Sequence, residues 1–391
     1  MKNTILILLI SLNSLCYSQN INFNQGTIKN EEYFTELQFE YINGKIILPV
    51  KINNKTYKFL LDTGAPNCLT KNLNTALNLE IIQKISVSDA NKNKSIMNVV
   101  KIPELEIGNI IFLNSVALSS NDDKNLVFDC FSIDGFIGSN MLRNSIIQID
   151  TKNKILRITN NKEKLNFNKK SGIKLSLIGN QSSPYIWLNM KDKKTAKEQV
   201  LLDTGMKGFY DISNRNYNLL KKENIIKIIN IGNGTKDISL FGNSNMNEQL
   251  RLLIPEINIS NSIFYNISTT TTNDSNSRIG VDLFEYGVGT IDFINKKFYF
   301  DNFNENSIDL KEKLIGFSPT IIENKLSIGI VWDENLKDKM HTGDEIIELN
   351  GTNYEKYNIC DLISKKSIFK DIVIKEIIVK TKSGELKKIN L

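Results

Sequence analysis

The tripeptide Asp-Thr-Gly occurs twice, at Asp62-Thr63-Gly64 and Asp203-Thr204-Gly205, and the chain around each copy repeats as well. Each copy follows an apolar run, Phe59-Leu60-Leu61 and Val200-Leu201-Leu202. Each is matched downstream by an apolar-glycine pair, Ile137-Gly138 and Ile279-Gly280. The aspartates are 141 positions apart and the isoleucines 142, so the two halves are copies in register. A single Asp-Thr-Gly marks only a turn after a strand. Two copies with matched surroundings constrain the chain to a duplicated unit that offers one carboxylate from each half.

The flanking pattern is that of β-structure. Runs of Ile, Val, Leu, Phe and Tyr are cut by Asn-Gly, Asn-Lys and Gly-Asn turns in both halves. Lys45–Ile52 leads into Tyr57–Leu61, and Ile146–Ile149 into Ile155–Ile158; the counterparts are Ile186–Met190 into Val200–Leu202, and Thr290–Phe293 into Phe298–Phe300. Short helices are expected at Asn72–Asn78 and Asn214–Lys222, each just past its Asp-Thr-Gly turn. The expected organisation is two similar all-β lobes, 19–162 and 163–303. A smaller α+β unit, 304–391, follows.

Two carboxylates within hydrogen-bond distance cannot both ionise comfortably, so such a pair holds one proton over a wide pH range. The ionised member can take a proton from water while the protonated one donates to a carbonyl oxygen. Asp62 and Asp203 are therefore the candidate catalytic groups. Gly64 and Gly205 permit turn geometry that a side chain resists, and Thr63 and Thr204 can hydrogen-bond across the junction. The chemistry calls for no metal and no cofactor. The one histidine, His341, excludes Ser-His-Asp, Cys-His and multi-histidine metal sites by counting.

These residues carry a resemblance. The chain looks like the retropepsin-like and pepsin-like aspartic peptidases, of the exported bacterial kind in which two fused lobes precede a PDZ-like module. The marks are Leu60-Leu61-Asp62-Thr63-Gly64-Ala65 with Asp134-Gly135-Phe136-Ile137-Gly138, and Leu201-Leu202-Asp203-Thr204-Gly205-Met206 with Arg278-Ile279-Gly280. The resemblance implies a mostly-β fold of two tandem retropepsin-like barrel lobes. It makes Asp62 and Asp203 the catalytic dyad of an aspartic endopeptidase, with Thr63, Gly64, Thr204 and Gly205 as loop support. Ile137-Gly138 and Ile279-Gly280 would pass beside the two loops. The partner is a peptide or protein substrate, and the site is complete within one chain.

Met206 departs from the small or hydroxylated residue usual after the motif, which implies a working pH above that of an acid peptidase. The rival reading is a peptide-binding or scaffold protein that keeps the lobes without turnover. Apolar subsites are expected beside both loops. Residues 84–102 fit a hairpin over the first loop, and Gly232-Asn233-Gly234-Thr235 reads as a mobile loop in the second half.

In the terminal unit, Leu314-Ile315-Gly316-Phe317 resembles a PDZ carboxylate-binding loop, which would receive a peptide end. Pro319 removes one donor where the receiving strand begins.

At the other end, Lys2, the apolar stretch Ile5 to Leu15 and Cys16-Tyr17-Ser18 read as a secretory signal over 1–18, so an exported protein is expected. Leu15 is a poor fit to lipid attachment at Cys16. No later window is long enough to span a bilayer, and no Lys/Arg cluster carries the interleaved aromatics of a nucleic-acid site, at a net charge of only +6. Of the three remaining cysteines, Cys68 and Cys130 could bridge or remain buried thiols.

Overall fold

A computed structural model describes residues 21–365, 369 and 373–391 of the chain, so the signal read at 1–18 lies outside the described residues. The protein is mostly β. In the first half, strand Lys45–Ile52 turns through Asn53-Asn54 into strand Lys55–Asp62. Both turn residues have positive φ, 49° and 62°, a geometry that asparagine tolerates and that matches the twist of a two-residue hairpin. Hairpin Ile81–Ser88 and Lys94–Ile107 follows, its tip at 89–93 as the sequence suggests. The second half repeats the scheme with Ser183–Lys191 and Thr195–Leu202, then Tyr210–Ser213, Asn247–Ile259 and Ser262–Thr272.

A six-stranded antiparallel sheet draws on both halves. Its order is Phe34–Gln38, Ile155–Thr159, Ile146–Asp150, Gly287–Asp292, Lys297–Asn302, Ile173–Ile178. The equivalent strands meet in the middle, Ile147 opposite Ile291. Asp150 and Asp292 end these two strands and accept in the same way, from the backbone N–H and side-chain amide of Asn153 and of Asn295. Both are turn caps. One apolar core runs through the halves, from Ile46 and Leu48 to Leu188 and Leu202.

The expected helices are present at Lys71–Leu77, capped by Thr70, and Asn214–Leu220, capped by Ser213. In the terminal region, strands Phe317–Ile322, Lys325–Val331, Glu345–Leu349, Glu376–Lys380 and Leu386–Asn390 enclose a small apolar cluster that includes Phe317, Ile328 and Val379. Helix Ile359–Ser364 begins at the Asn358 cap. The region does not stand apart, because Ile330 pairs with Gly234 of the second half. Trp332 is fully buried there, with the Arg251 guanidinium 4.6 Å from its ring.

Two expectations are corrected. Residues 232–235 do not form a mobile loop: Lys227–Gly234 is a strand paired on one side with Asn247–Ile259 and on the other with Ile330. A methyl group on Gly232 would lie 2.5 Å from Cγ2 of Ile330, so these glycines permit close backbone approach. The cysteine pairing differs too. Cys130 is bonded to Cys360, and Cys68 is a buried free thiol. Cys130 lies on helix Leu126–Phe131, which meets helix Ile359–Ser364, whereas Cys68 is held in a short strand beside Phe136.

Candidate active site

The two Asp-Thr-Gly turns meet where strands Lys55–Asp62 and Thr195–Leu202 end. Each is held by the downstream pair: Gly138 lies opposite Asp62, and Ile279 opposite Leu202, in parallel register. The N–H of Ser139 donates to the Ala65 carbonyl at 3.2 Å, and that of Val281 to the Met206 carbonyl at 2.9 Å. Side chains at Gly138 and Gly280 would strike these same loops.

The threonines interlock. The N–H of Thr63 donates to Oγ1 of Thr204 and the N–H of Thr204 to Oγ1 of Thr63, each at 3.0 Å. Their hydroxyls donate onward to the carbonyls of Leu202 and Leu61, at 2.6 and 2.9 Å. Both threonines are fully buried, and the network uses both of their N–H groups and both hydroxyls.

Each carboxylate takes the N–H of its own glycine, Gly64 to Asp62 at 3.0 Å and Gly205 to Asp203 at 2.9 Å. Each also lies over the other loop's glycine. A methyl on Gly64 would lie 2.6 Å from Cγ of Asp203, and one on Gly205 would be as close to the Asp62 carboxyl. Burial, and then the charge of Asp203, push Asp62 up to about 7 against the pull of Lys45 and the Gly64 N–H. All eight loop-support residues named from the sequence are therefore gathered around the two aspartates.

The surroundings of the two carboxylates differ. Phe136 and Arg278 occupy equivalent positions, paired with Leu60 and Leu201, each two residues before its aspartate. Their outer neighbours are Cys68 and Asp211. The first-half wall is thus apolar, and burial raises the Cys68 thiol to about 12, with the charge of Asp62 adding to it. The second-half wall carries charge among apolar residues, since Leu201, Met206, Phe209 and Ile267 also line the cavity there. The Arg278 guanidinium grips Asp211 at 2.5 Å through Nη2 and stands 3.5 Å from Oδ2 of Asp203 and 3.6 Å from Oδ2 of Asp274. Burial works against its charge, but Asp211, Asp203 and Asp274 outweigh that and raise its pKa. Burial lifts Asp211 to about 6 despite the guanidinium.

Two further groups come from outside the motifs. Lys45 Nζ donates to the Gly205 carbonyl, and burial lowers its pKa while both aspartates oppose the shift. Gln181 Nε2 donates to the Gly64 carbonyl at 3.0 Å. Met206 offers Asp203 its backbone N–H at 3.1 Å. Arg278 was visible in the sequence as the one charged residue ahead of an Ile-Gly pair that follows Phe136 in the first copy. Lys45 and Gln181 carried no such signal.

A cavity of about 1790 Å³ opens over the pair. Its roof is two hairpin tips locked together: Asn91 Nδ2 donates to the carbonyls of Asp237 and Gly242, and Asp89 Oδ2 accepts from the Phe241 N–H. The cavity continues to Leu314, Ile315, Gly316 and Phe317. Two of that loop's carbonyls are engaged, Ile315 by Arg251 and Gly316 by the N–H groups of Trp332 and Asp333. Among the described residues no group of three or more His, Cys, Asp or Glu is placed to hold a metal, and no helix is long and apolar enough to cross a membrane.

Comparison with known proteins gives a likeness over part of the chain. Residues 48–141 match the family model described as aspartyl protease. Among solved structures, a retropepsin-like aspartic protease from Rickettsia conorii matches at 20% identity, over 34% of this chain and 97% of that one, with a TM-score of 0.25. No curated protein matches.

Proposed function

We propose that the chain is an exported aspartic endopeptidase, built as two tandem lobes, 19–162 and 163–303, with a PDZ-like module at 304–391. The carrying observation is the mutual placement of Asp62 and Asp203, each over the other loop's glycine and both lining one cavity. An extended peptide lies between the pair and the locked hairpin tips. The ionised carboxylate takes a proton from a water that attacks the scissile carbonyl carbon, and the protonated one gives its proton to the carbonyl oxygen. The tetrahedral adduct then collapses as the leaving nitrogen is protonated. Main-chain donors and the buried threonine network hold the carboxyls in place throughout. The module at 304–391 forms the far wall of the same cavity, where Leu314–Phe317 would receive the substrate's end.

The test is hydrolysis of an unfolded protein with and without a pepstatin-type inhibitor. Asp62→Asn and Asp203→Asn should each lower turnover by at least ~10²–10⁴-fold while leaving the melting curve cooperative. Full activity in either variant refutes the dyad.

A second reading has an observation in its favour: two cations, Lys45 and Arg278, stand beside the carboxylates, and Met206 adds no hydroxyl. Under it the lobes bind peptides without cutting. Saturable binding of the unfolded protein with no products at any pH would establish that reading.

A further inference from the structure

We infer that Arg278 is a positioning residue that assigns the two aspartates fixed and different roles, with Asp203 the ionised base and Asp62 the proton donor. This rests on the peptidase reading and goes beyond it, because a symmetric pair leaves the roles interchangeable.

The argument is geometric. The backbone frame is two-fold: the threonine bonds, the glycine N–H bonds and the overlying glycines repeat on both sides. One backbone donor departs from the two-fold: the Met206 N–H reaches the Asp203 carboxylate at 3.1 Å, whereas the Ala65 N–H reaches the Asp62 main-chain carbonyl, and this favours an ionised Asp203. The symmetry is broken again at the position two residues ahead of each aspartate in the paired strand, Phe136 on one side and Arg278 on the other. A phenyl ring does not favour an ionised neighbour. A guanidinium 3.5 Å from a carboxylate oxygen does, and both side chains are about nine-tenths buried, where little water screens them.

Arg278 is also held in place. Its Nε and Nη2 engage Asp211, which sits directly across the strand pair, and Asp274 approaches the same Nη1 that faces Asp203. The guanidinium therefore cannot swing to serve Asp62.

The other charged or titratable groups around Asp203 do not undo this bias. Asp62 faces it from the opposite loop and repels its charge, which again drives the proton to one member of the pair. Lys45 acts on both aspartates and more on Asp62 than on Asp203, so it works against the bias; its Nζ is held at the Gly205 carbonyl, and burial lowers its pKa and so disfavours its charge. Tyr185, on strand Ser183–Lys191, is neutral across the working range, its pKa raised by burial and then by Asp274 and Asp203. Asp211 and Asp274 are themselves paired with Arg278. The upward shift of Asp62 agrees with its holding the proton.

Two measurements test this. Carboxyl carbon NMR of the aspartate-labelled wild type, assigned through Asp62→Asn and Asp203→Asn, reads the order of ionisation without needing turnover. Asp203 should ionise first and Asp62 second; the reverse order, or both together, overturns the inference. Loss of all hydrolysis in the wild type, with that order intact, would sink the peptidase reading alone.

The second measurement is the pH profile of kcat/KM. Arg278→Lys, which keeps the charge, should hold the acid limb near the wild-type position. Arg278→Met combined with Asp211→Asn, which leaves no orphaned carboxylate at position 211, should move that limb up by about 1 pH unit or more. An unmoved limb in an active double variant overturns the assignment. Should the double variant not fold, the ionisation order in Arg278→Lys against wild type decides.

Discussion

The loops at Asp62 and Asp203 share a frame and differ in what surrounds it. Glycine N–H to carboxylate is 3.0 Å in one and 2.9 Å in the other, and the reciprocal threonine bonds are both 3.0 Å. Around that frame, Phe136 and Cys68 on one side stand where Arg278 and Asp211 stand on the other. Backbone geometry tolerates no divergence here, since each loop packs on its copy and a change in one displaces both. Phe136 and Cys68 come from the first half and Arg278 and Asp211 from the second, and none of the four makes the bonds that join the two loops, so they were free to diverge in charge. The duplication kept what fixes position and let go what sets electrostatics.

The largest way to break the frame is a methyl group at its closest approach. Gly64→Ala and Gly205→Ala should each reduce hydrolysis more than ~10²-fold and destabilise by about 1–3 kcal/mol or more, the range of an overpacked core. Each new Cβ meets the opposite carboxyl, so the two variants should be equally impaired. A single sensitive glycine would show that the loops are not equivalent. Assay and thermal melt of the pair decide it.

The halves also differ in how they hold the terminal region. The second half does so by strand pairing at Gly234 and Ile330 and by the Arg251 guanidinium over Trp332. The first half does so through Cys130–Cys360, across 230 residues of sequence, with Asn43 donating to the Ile363 carbonyl. Cys360→Ser should cost about 2–4 kcal/mol, read as a lower Tm without reductant. The gap should vanish when both proteins are reduced. An equal Tm under oxidising conditions would refute the bridge. Thr63→Val and Thr204→Val come next, each leaving partners unpaired at a cost of about 1–3 kcal/mol. Matching losses uphold the two-fold network, and unequal ones confine it to one side.

How much of this the sequence discloses follows from the range of each signal. Apolar runs and their turns place the strands that flank the two motifs and the hairpin at 84–102, because side-chain alternation and turn chemistry are local; Ile110–Ser119, Asn247–Ile259 and Ser262–Thr272 were not singled out. The loops were legible because the motif recurs with its context. Arg278 stood in plain view, but its grip on Asp211 depends on the register of Tyr210–Ser213 against Arg278–Ile279, which no local pattern encodes. The bond of Cys130 to Cys360 likewise depends on two short helices docking. Gly232 and Gly234 misled because glycine signals freedom in a loop and close approach in a strand. Only the strand at Lys325–Val331 tells which applies.

The smallest effect separates the two carboxylates by stability alone. Asp62 has its pKa raised from an ordinary 3.8 to about 7 in the folded protein, chiefly by burial and then by Asp203. A group that binds its proton more tightly when folded favours folding at low pH, and this contribution is lost as pH rises through the folded value. Between about pH 4 and 7 the native protein therefore loses stability through Asp62, and above that window it carries a buried charge. Asp62→Asn removes the ionisation and keeps the shape. The variant should melt near the wild type at pH 4 and about 2–4 °C higher at pH 8, the shift expected for ~1 kcal/mol in a chain of this kind. In Asp203→Asn the same substitution strips Arg278 of a partner, so the gain at pH 8 should be smaller or reversed. Equal gains in both variants would mean that the guanidinium at 278 does not distinguish the two aspartates, and the contrast between the halves would reduce to packing.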